Sequence, residues 1–233
     1  VLMATLLLRL AAPLQSWGMD SKFETRKTNR EPTKSGVVGL LAAALGIGRE
    51  EPEKLGPLNQ LRFGVRVDQE GEFLVDYHAA RKEEKNRKGE IQKVVPYITY
   101  RHYLSDAIFL VGLESQEEVF LQNLVQALHQ PVFPLFLGRR SCPPTMPLCL
   151  GIRQKDLKTA LVEEPLLVPA WRNPGPGARR MVLDAAPGEP GAVPQRDLPL
   201  SFSQTHRQFG YRLAREAKAA ELLSTEHDAF AEL

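Results

Sequence analysis

AspAlaIlePheLeuValGlyLeu, residues 106–113, is apolar at odd and even positions alike. A strand with one wet face alternates, whereas a strand covered on both faces does not. This stretch is therefore predicted to be a central strand of a sheet. Its partners lie on either side of it in the chain. AlaThrLeuLeuLeuArgLeu at 4–10 reads as a buried first strand, with Leu6, Leu8 and Leu10 on one face and Leu7 and Arg9 on the other. Residues 61–67 alternate, with Leu61, Phe63, Val65 and Val67 toward a core and Arg62 and Arg66 facing away. Residues 72–78 alternate as well, with Phe73, Val75 and Tyr77 on one face. The AspGlnGluGly loop at 68–71 predicts that these two runs form a β-hairpin. Phe133 to Leu137 is a further apolar strand candidate.

Two helices punctuate these strands. Pro32-Thr33-Lys34-Ser35 opens the first, with Thr33 or Ser35 as N-cap. Its body runs from Val37 to Leu45. Gly46 and Gly48 end it, because glycine takes the left-handed C-cap conformation without steric penalty. Ser115-Gln116-Glu117-Glu118 has the spacing of a capping box, and the helix it opens places Phe120, Leu124, Ala127 and Leu128 on one face. The order strand, helix, hairpin, strand, helix, strand predicts an α+β chain. It matches a ferredoxin-like (RRM-like) βαββαβ palm, with two helices on one face of an antiparallel sheet and the other face free for a ligand.

Between the hairpin and the central strand the pattern breaks into a long polar insertion, predicted as a projecting β-hairpin at about 80–102. The palm with this insertion is expected to span 1–142. An irregular, β-rich C-terminal extension with a terminal helix, packed on the palm, is expected over 143–233. Residues 173–199 hold six prolines and four glycines, which suits irregular chain or short edge strands rather than core helix. Residues 206–213 alternate through Phe209, Tyr211 and Leu213, and residues 214–231 read as the terminal helix.

Composition narrows the function classes. The chain has 233 residues, 43% hydrophobic and 25% charged, which is ordinary for a globular protein and too apolar for a disordered one. No apolar run approaches the ~18 residues a membrane helix needs. The opening ValLeuMetAlaThrLeuLeuLeu lacks a basic n-region, so no signal peptide is expected. Two cysteines exclude a disulfide scaffold and a Cys-rich zinc site, and reducing cytoplasm is the expected compartment.

The net charge is only +2, but the charge is uneven. Residues 22–34 carry a local balance of +3, through Lys22, Arg26, Lys27, Arg30 and Lys34 against Glu24 and Glu31. Residues 81–101 carry +4, through Arg81, Lys82, Lys85, Arg87, Lys88, Lys93 and Arg101 against three glutamates. Either run alone reads equally well as a solvated loop. Two such runs in a nearly neutral chain favour a polyanion partner.

No nucleotide loop of the GxxxxGK[ST] type, no HExxH and no CxxC occurs. Cys142 and Cys149 lack neighbouring histidines, and no metal or cofactor is expected. A metal-independent RNA-cleaving site needs a general base and a cation. His102 beside Arg101, or His206 beside Arg207, has that composition, but Arg-His pairs are common and mostly inert. Gly138-Arg139-Arg140-Ser141 ends an apolar segment and offers two arginines with exposed turn amides, a candidate phosphate or base contact. Trp17 either stacks a base or anchors its polar loop to the core, and anchoring is the more frequent outcome.

Taken in order, SerTrpGly at 16–18, the basic loop, ProThrLysSerGlyValValGlyLeuLeuAlaAlaAlaLeuGlyIle at 32–47, AspTyrHis at 76–78, ArgHisTyrLeuSerAspAlaIlePhe at 101–109 and LeuGlyArgArgSerCysProPro at 137–144 resemble the I-E-type branch of the Cas-five family of CRISPR-associated RAMP proteins. The resemblance spans nearly the whole chain. It implies a non-catalytic subunit of the antiviral ribonucleoprotein Cascade. Such a subunit grips the 5′ handle of the CRISPR RNA, caps the filament of CasC backbone subunits and contacts the large subunit CasA. It meets target DNA only through the complex, and it has no membrane partner.

The RNA-binding candidates are Ser16, Trp17, Gly18, Arg26, Lys27, Arg30, Lys34 and Ser35 in the first loop and helix start, Arg101, and Gly138, Arg139, Arg140 and Ser141. The thumb candidates for assembly are Arg81, Lys82, Lys85, Arg87, Lys88 and Lys93. In the related I-C type the family member cleaves the precursor RNA with a Tyr, a Lys and an adjacent His. No Lys-His pair occurs here, so a binding role is expected and no catalytic residue is assigned. A precursor-cleaving nuclease and a purely structural filament cap remain the alternatives. The chain also lacks the aromatic signature of RRM domains, so RNA should be held by loops, arginines and amides.

Overall fold

The computed structural model describes residues 3–18, 24–168 and 179–218. In chain order the elements are β1 (Ala4–Ala11), β2 (Leu14–Gln15), β3 (Thr25–Arg26), α1 (Lys34–Leu45), a 3-10 turn (Pro52–Leu55), α2 (Gly56–Gln60), β4 (Arg62–Gln69), β5 (Glu72–Lys85) and β6 (Ile91–Ser105). They continue with β7 (Ile108–Ser115), α3 (Glu118–His129), β8 (Cys149–Arg153), α4 (Leu157–Glu163), β9 (Arg180–Asp184), β10 (Val193–Ser201) and β11 (Gln208–Lys218).

The doubly apolar stretch at 106–113 forms β7, paired with β1 on one side and β4 on the other, so that Leu113 lies opposite both Leu6 and Phe63. The main sheet has seven strands in the order β10-β11-β9-β4-β7-β1-β8, with every pairing antiparallel. One face carries α1 and α3. Leu6, Leu8, Leu10, Phe63, Val65 and Val111 meet Val37, Leu41, Leu121 and Leu124 there, in a core from which water is almost wholly excluded. Each such leucine contributes on the order of 1.5–3 kcal/mol of apolar burial, before the entropy of ordering it. Thr33 caps α1 by accepting from the Gly36 amide, and Gly46 ends it at φ 75°.

The second face of the sheet is not free. α4 lies across it, packing Leu157, Ala160 and Leu161 on Leu7, Leu110, Met181 and Leu183. Two glycines make room: a β-carbon on Gly112 would stand 2.6 Å from Leu157 Cδ1, and one on Gly64 2.8 Å from Leu161 Cδ1. Any ligand must therefore use the rim and not the open sheet face that the sequence suggested.

Other expectations are corrected as well. The runs at 61–67 and 72–78 do not form a hairpin. β4 pairs with β7 and β9, while β5 pairs with β6 in a separate sheet of order β2-β6-β3 with β5 alongside. The chain changes sheets at Gly71 (φ 73°), where a β-carbon would collide with the Ser105 carbonyl oxygen. The projecting hairpin thus begins at Glu72 and ends at Ser105, longer than the expected 80–102.

Arg66 does not face solvent. Its side chain is fully buried, Nε donating to Asp68 Oδ1 (2.6 Å) and Nη1 to the Leu161 and Glu164 carbonyls at the end of α4 (2.5 and 2.6 Å). Burying a guanidinium is tolerable only with this full set of acceptors. Phe133 to Leu137 is not a strand, since Pro134 breaks the ladder and the segment bonds irregularly. Ser115 does not cap α3: its Oγ accepts from Glu117 N (3.0 Å), and the N-cap position falls on Glu117, without a side-chain cap. Residues 208–218 are strand β11, so the expected helix at 214–231 is strand over 214–218, and the remainder lies outside the described residues.

β8 pairs with β1, and β9 with β4, so one sheet runs through the boundary expected at 142/143. Among the described residues no helix is long and apolar enough to cross a membrane.

Candidate nucleic-acid interface

Ser16 and Gly138 bring two of the candidate segments into backbone contact. Ser16 N donates to the Leu137 carbonyl (3.2 Å). Gly138 sits at φ 84°, where a β-carbon would fall 1.6 Å from the Ser16 carbonyl oxygen. Only glycine permits this approach. Ser16 Oγ also donates to the His102 carbonyl (3.2 Å), tying the same point to β6.

The basic loop docks beside it. β3 runs parallel to β6, with Thr25 opposite Tyr100 and Arg26 opposite Arg101. The Asn29 amide donates to the Trp17 carbonyl (2.9 Å), and Trp17 N to Thr28 Oγ1 (2.8 Å). Trp17 is an anchor: it is 1% exposed, its Nε1 donates to Gln15 Oε1 (3.1 Å), and its ring lies over Gly36. It is not available to stack a base.

Arg139 closes the arrangement. Its Nη2 donates to the Arg26 carbonyl (2.9 Å), and its guanidinium carbon lies 4.5 Å from the Tyr103 ring centroid. Burial pushes the Tyr103 hydroxyl up, but hydrogen bonds with Ser141 and Arg139 outweigh it and bring the hydroxyl below its usual range. The first loop, β6 and the 138–141 turn thus share one rim.

The more buried cations of the fold differ from those at this rim. Lys34, Arg66, Arg153, Arg180 and Arg212 are all held by carboxylates. Arg26, Lys27, Arg30, Arg101, Arg139 and Arg140 form no ion pair with a carboxylate among the described residues. Arg26, Lys27, Arg30 and Arg140 are exposed, and Arg101 is half-buried with its Nε covered and unbonded. A concentration of uncompensated cations is an electrostatic footprint for a polyanion. Gly18 is exposed at its edge, and so is Ser141.

Two candidates leave the list. Lys34 is buried, its Nζ donating to the Leu61 carbonyl (2.7 Å) and to Asp184 (3.1 Å). Its backbone amide donates to Asp197 Oδ2 (2.8 Å), so the N-terminus of α1 is already occupied by a carboxylate. Ser35 is 8% exposed, within hydrogen-bond reach of Thr33 Oγ1. Lys34 belongs to a buried network that joins α1 to β9, β10 and β11 through Asp184, Asp197 and Arg212.

The thumb carries Arg81, Arg87, Lys88 and Lys93 exposed along its outer half, with Lys82 and Lys85 on the same β5 strand. Sequence reasoning missed its inner half. Phe73 (55% exposed), Val75 (54%), Tyr77 (59%) and Tyr100 (46%) form an apolar stripe on one face, with Tyr77 and Tyr100 edge to face at 5.7 Å. Their alternation was legible, but alternation does not distinguish a core face from a face reserved for a partner. His102 lies on β6 and His206 in an exposed turn near Gln208, far apart in the fold's topology. Cys142 and Cys149 are free thiols, and burial pushes both thiols up.

Known proteins resemble this chain in both sequence and fold. The family model described as CRISPR-associated protein (Cas_Cas5) matches residues 5–215. The CRISPR system Cascade subunit CasD of Escherichia coli (strain K12) is 38% identical over 169 residues, which is 67% of this chain and 75% of the relative. A chain of a solved CRISPR RNA-guided surveillance complex superposes with a TM-score of 0.74 at 32% identity, covering 92% of this chain and 89% of that one. A crystal structure of a Cas protein superposes with a TM-score of 0.69 at 39% identity, covering 92% and 94%. With a matching model over nearly its whole length, a similar subunit and two similar structures, the chain belongs to the CRISPR-associated protein (Cas_Cas5) family.

Proposed function

We propose that this chain is a non-catalytic subunit of a Cascade-type CRISPR surveillance complex, working in the cytoplasm, that holds the 5′ handle of the CRISPR RNA and caps the backbone filament. The observation that carries this reading is the rim where the first loop, β6 and the 138–141 turn meet, bearing cations without carboxylate partners. In this reading β4, β7, β1 and β8, with α1 and α3 on one face, are a ferredoxin-like palm; their order and antiparallel pairing support it. The hairpin of β5 and β6 is the thumb. It meets the CasC-like backbone subunit and the RNA that subunit carries. The CasA-like large subunit is a further neighbour, and target DNA is reached only through the assembly. Arg26, Lys27, Arg30, Arg101 and Arg140 contact phosphates or bases, with amides near Gly18 and Gly138 fixing the strand's shape.

The test is direct. Purified protein is titrated with a fluorescent single-stranded RNA carrying a handle, and separately incubated with precursor CRISPR RNA. Binding that weakens steeply with salt, with the precursor left intact, supports the reading. A specific product ending at the handle and lost in His102→Ala or His206→Ala overturns the non-catalytic assignment. Salt-independent or absent binding, with assembly retained, favours a purely structural cap.

A further inference from the structure

Arg139 and Arg140 are adjacent and chemically identical, and the fold treats them differently. Arg140 is exposed. Arg139 is turned inward. Its Nη2 donates to the Arg26 carbonyl, its guanidinium face covers Tyr103, and its Nη1 is sealed from solvent. A ligand therefore finds the Nη1 end of Arg139 and the face over Tyr103 closed, and its Nη2 already engaged. Meanwhile β3 holds to the rest of the molecule by few bonds: its two-residue ladder to β6, the Tyr100 amide donating to the Glu24 carbonyl (2.8 Å), and this one arginine. The ring beneath Arg139 is itself fixed. Tyr103 is 5% exposed on β6. Arg139 thus joins three separate segments: the basic loop, the base of the thumb and the 138–141 turn.

We propose that Arg139 is a positioning residue of the RNA-binding rim and not one of its RNA contacts: it clamps the strand bearing Arg26 onto Tyr103, so that Arg26, Arg101 and Arg140 face one ligand together. This rests on the RNA-binding function proposed above. A planar guanidinium suits the role because it stacks on the ring and donates in its own plane at once. An ammonium, being a point charge with a different reach, does not replace it.

The experiment compares Arg139→Ala, Arg139→Lys and Arg140→Ala in the full chain. Hydrogen exchange is measured without RNA, and affinity for a handle-bearing RNA oligonucleotide is measured at several salt concentrations. Arg139→Ala should raise exchange in the 24–29 amides at least several-fold and weaken RNA binding, while the slope of log K against log salt stays at the wild-type value. Arg139→Lys should fail to restore either property. Arg140→Ala should leave exchange unchanged and reduce the salt slope by roughly 0.7, as loss of one single-strand phosphate contact does. A reduced slope in Arg139→Ala with wild-type exchange, or full rescue by lysine, overturns the proposal. If Arg139→Ala does not fold, Tyr103→Leu removes the stacking surface and must loosen 24–29 in the same way. If wild-type protein binds no RNA, the proposed function fails, while the exchange measurements still decide the clamp.

Discussion

Gly138 and Ser16 touch through their backbones, and no other residue can stand in the position of Gly138. Its φ of 84° lies where L side chains rarely go, and a β-carbon would overlap the Ser16 carbonyl oxygen at 1.6 Å. This contact fixes the turn carrying Arg139 and Arg140 to the start of the basic loop.

Gly138→Ala should therefore damage the rim more than a surface substitution can. The left-handed backbone alone costs about 1–2 kcal/mol for a residue with a β-carbon, and relieving the overlap requires the two segments to part. The expected outcome is a lower melting temperature and loss of handle-RNA binding in the remaining folded protein. Wild-type melting and affinity would show that the turn is free to move away.

Lys34→Met should lower stability without touching RNA recognition. The change removes the donor to the Leu61 carbonyl and one partner of Asp184, which Arg212 still serves. Breaking buried pairs that leave a charge wholly uncompensated destabilises by about 3–5 kcal/mol; here the effect should be smaller. Denaturant unfolding measures it. An altered salt slope for RNA binding would return Lys34 to the interface.

Removing residues 81–93 and rejoining the strands with a short turn should leave the palm intact. Among the described residues, β5 and β6 pair only with each other beyond Tyr100 toward the tip. Circular dichroism per residue and the melting temperature should match the parent, while incorporation into an assembled complex falls. If the deletion unfolds the palm, the thumb is part of the core.

Gly112→Ala should destabilise by roughly 1–3 kcal/mol, the usual effect of overpacking a filled core. The new methyl would meet Leu157 Cδ1 at 2.6 Å and Thr5 Cγ2 at 3.2 Å, forcing α4 outward. Unfolding by denaturant checks it, and in a double-mutant cycle with Leu157→Ala the combined loss should be less than the sum of the two separate losses. Full additivity would mean that the strain lies in the strand and not under α4.

The elements with one strong period were legible in the sequence: β1, α1 and β7 lie where patterning put them. Misreadings came from residues whose surroundings are non-local. Arg66 looked outward because it is charged, yet the carbonyls that accept its protons come from α4, ~100 residues away. Phe73, Val75 and Tyr77 read as one face of a hairpin with 61–67, yet they belong to a second sheet. The start of α1 looked like an anion site until Asp197, distant in sequence, was found there. The three segments named from the sequence meet at the rim. The sequence could not separate Arg139 from its neighbour, because the difference lies in which way each side chain turns.

A newly made chain carries Phe73, Val75, Tyr77 and Tyr100 into water before any partner covers them. Among the described residues β5 also has one edge without a partner strand, a template for pairing with a second copy of itself. The outer half of the same hairpin is crowded with lysine and arginine, and like charges brought edge to edge repel. The basic tip therefore does two jobs with one composition. It keeps solitary copies from aggregating through their sticky inner halves, and it leaves that surface usable. Neutralising the tip should thus lower solubility even where RNA is absent.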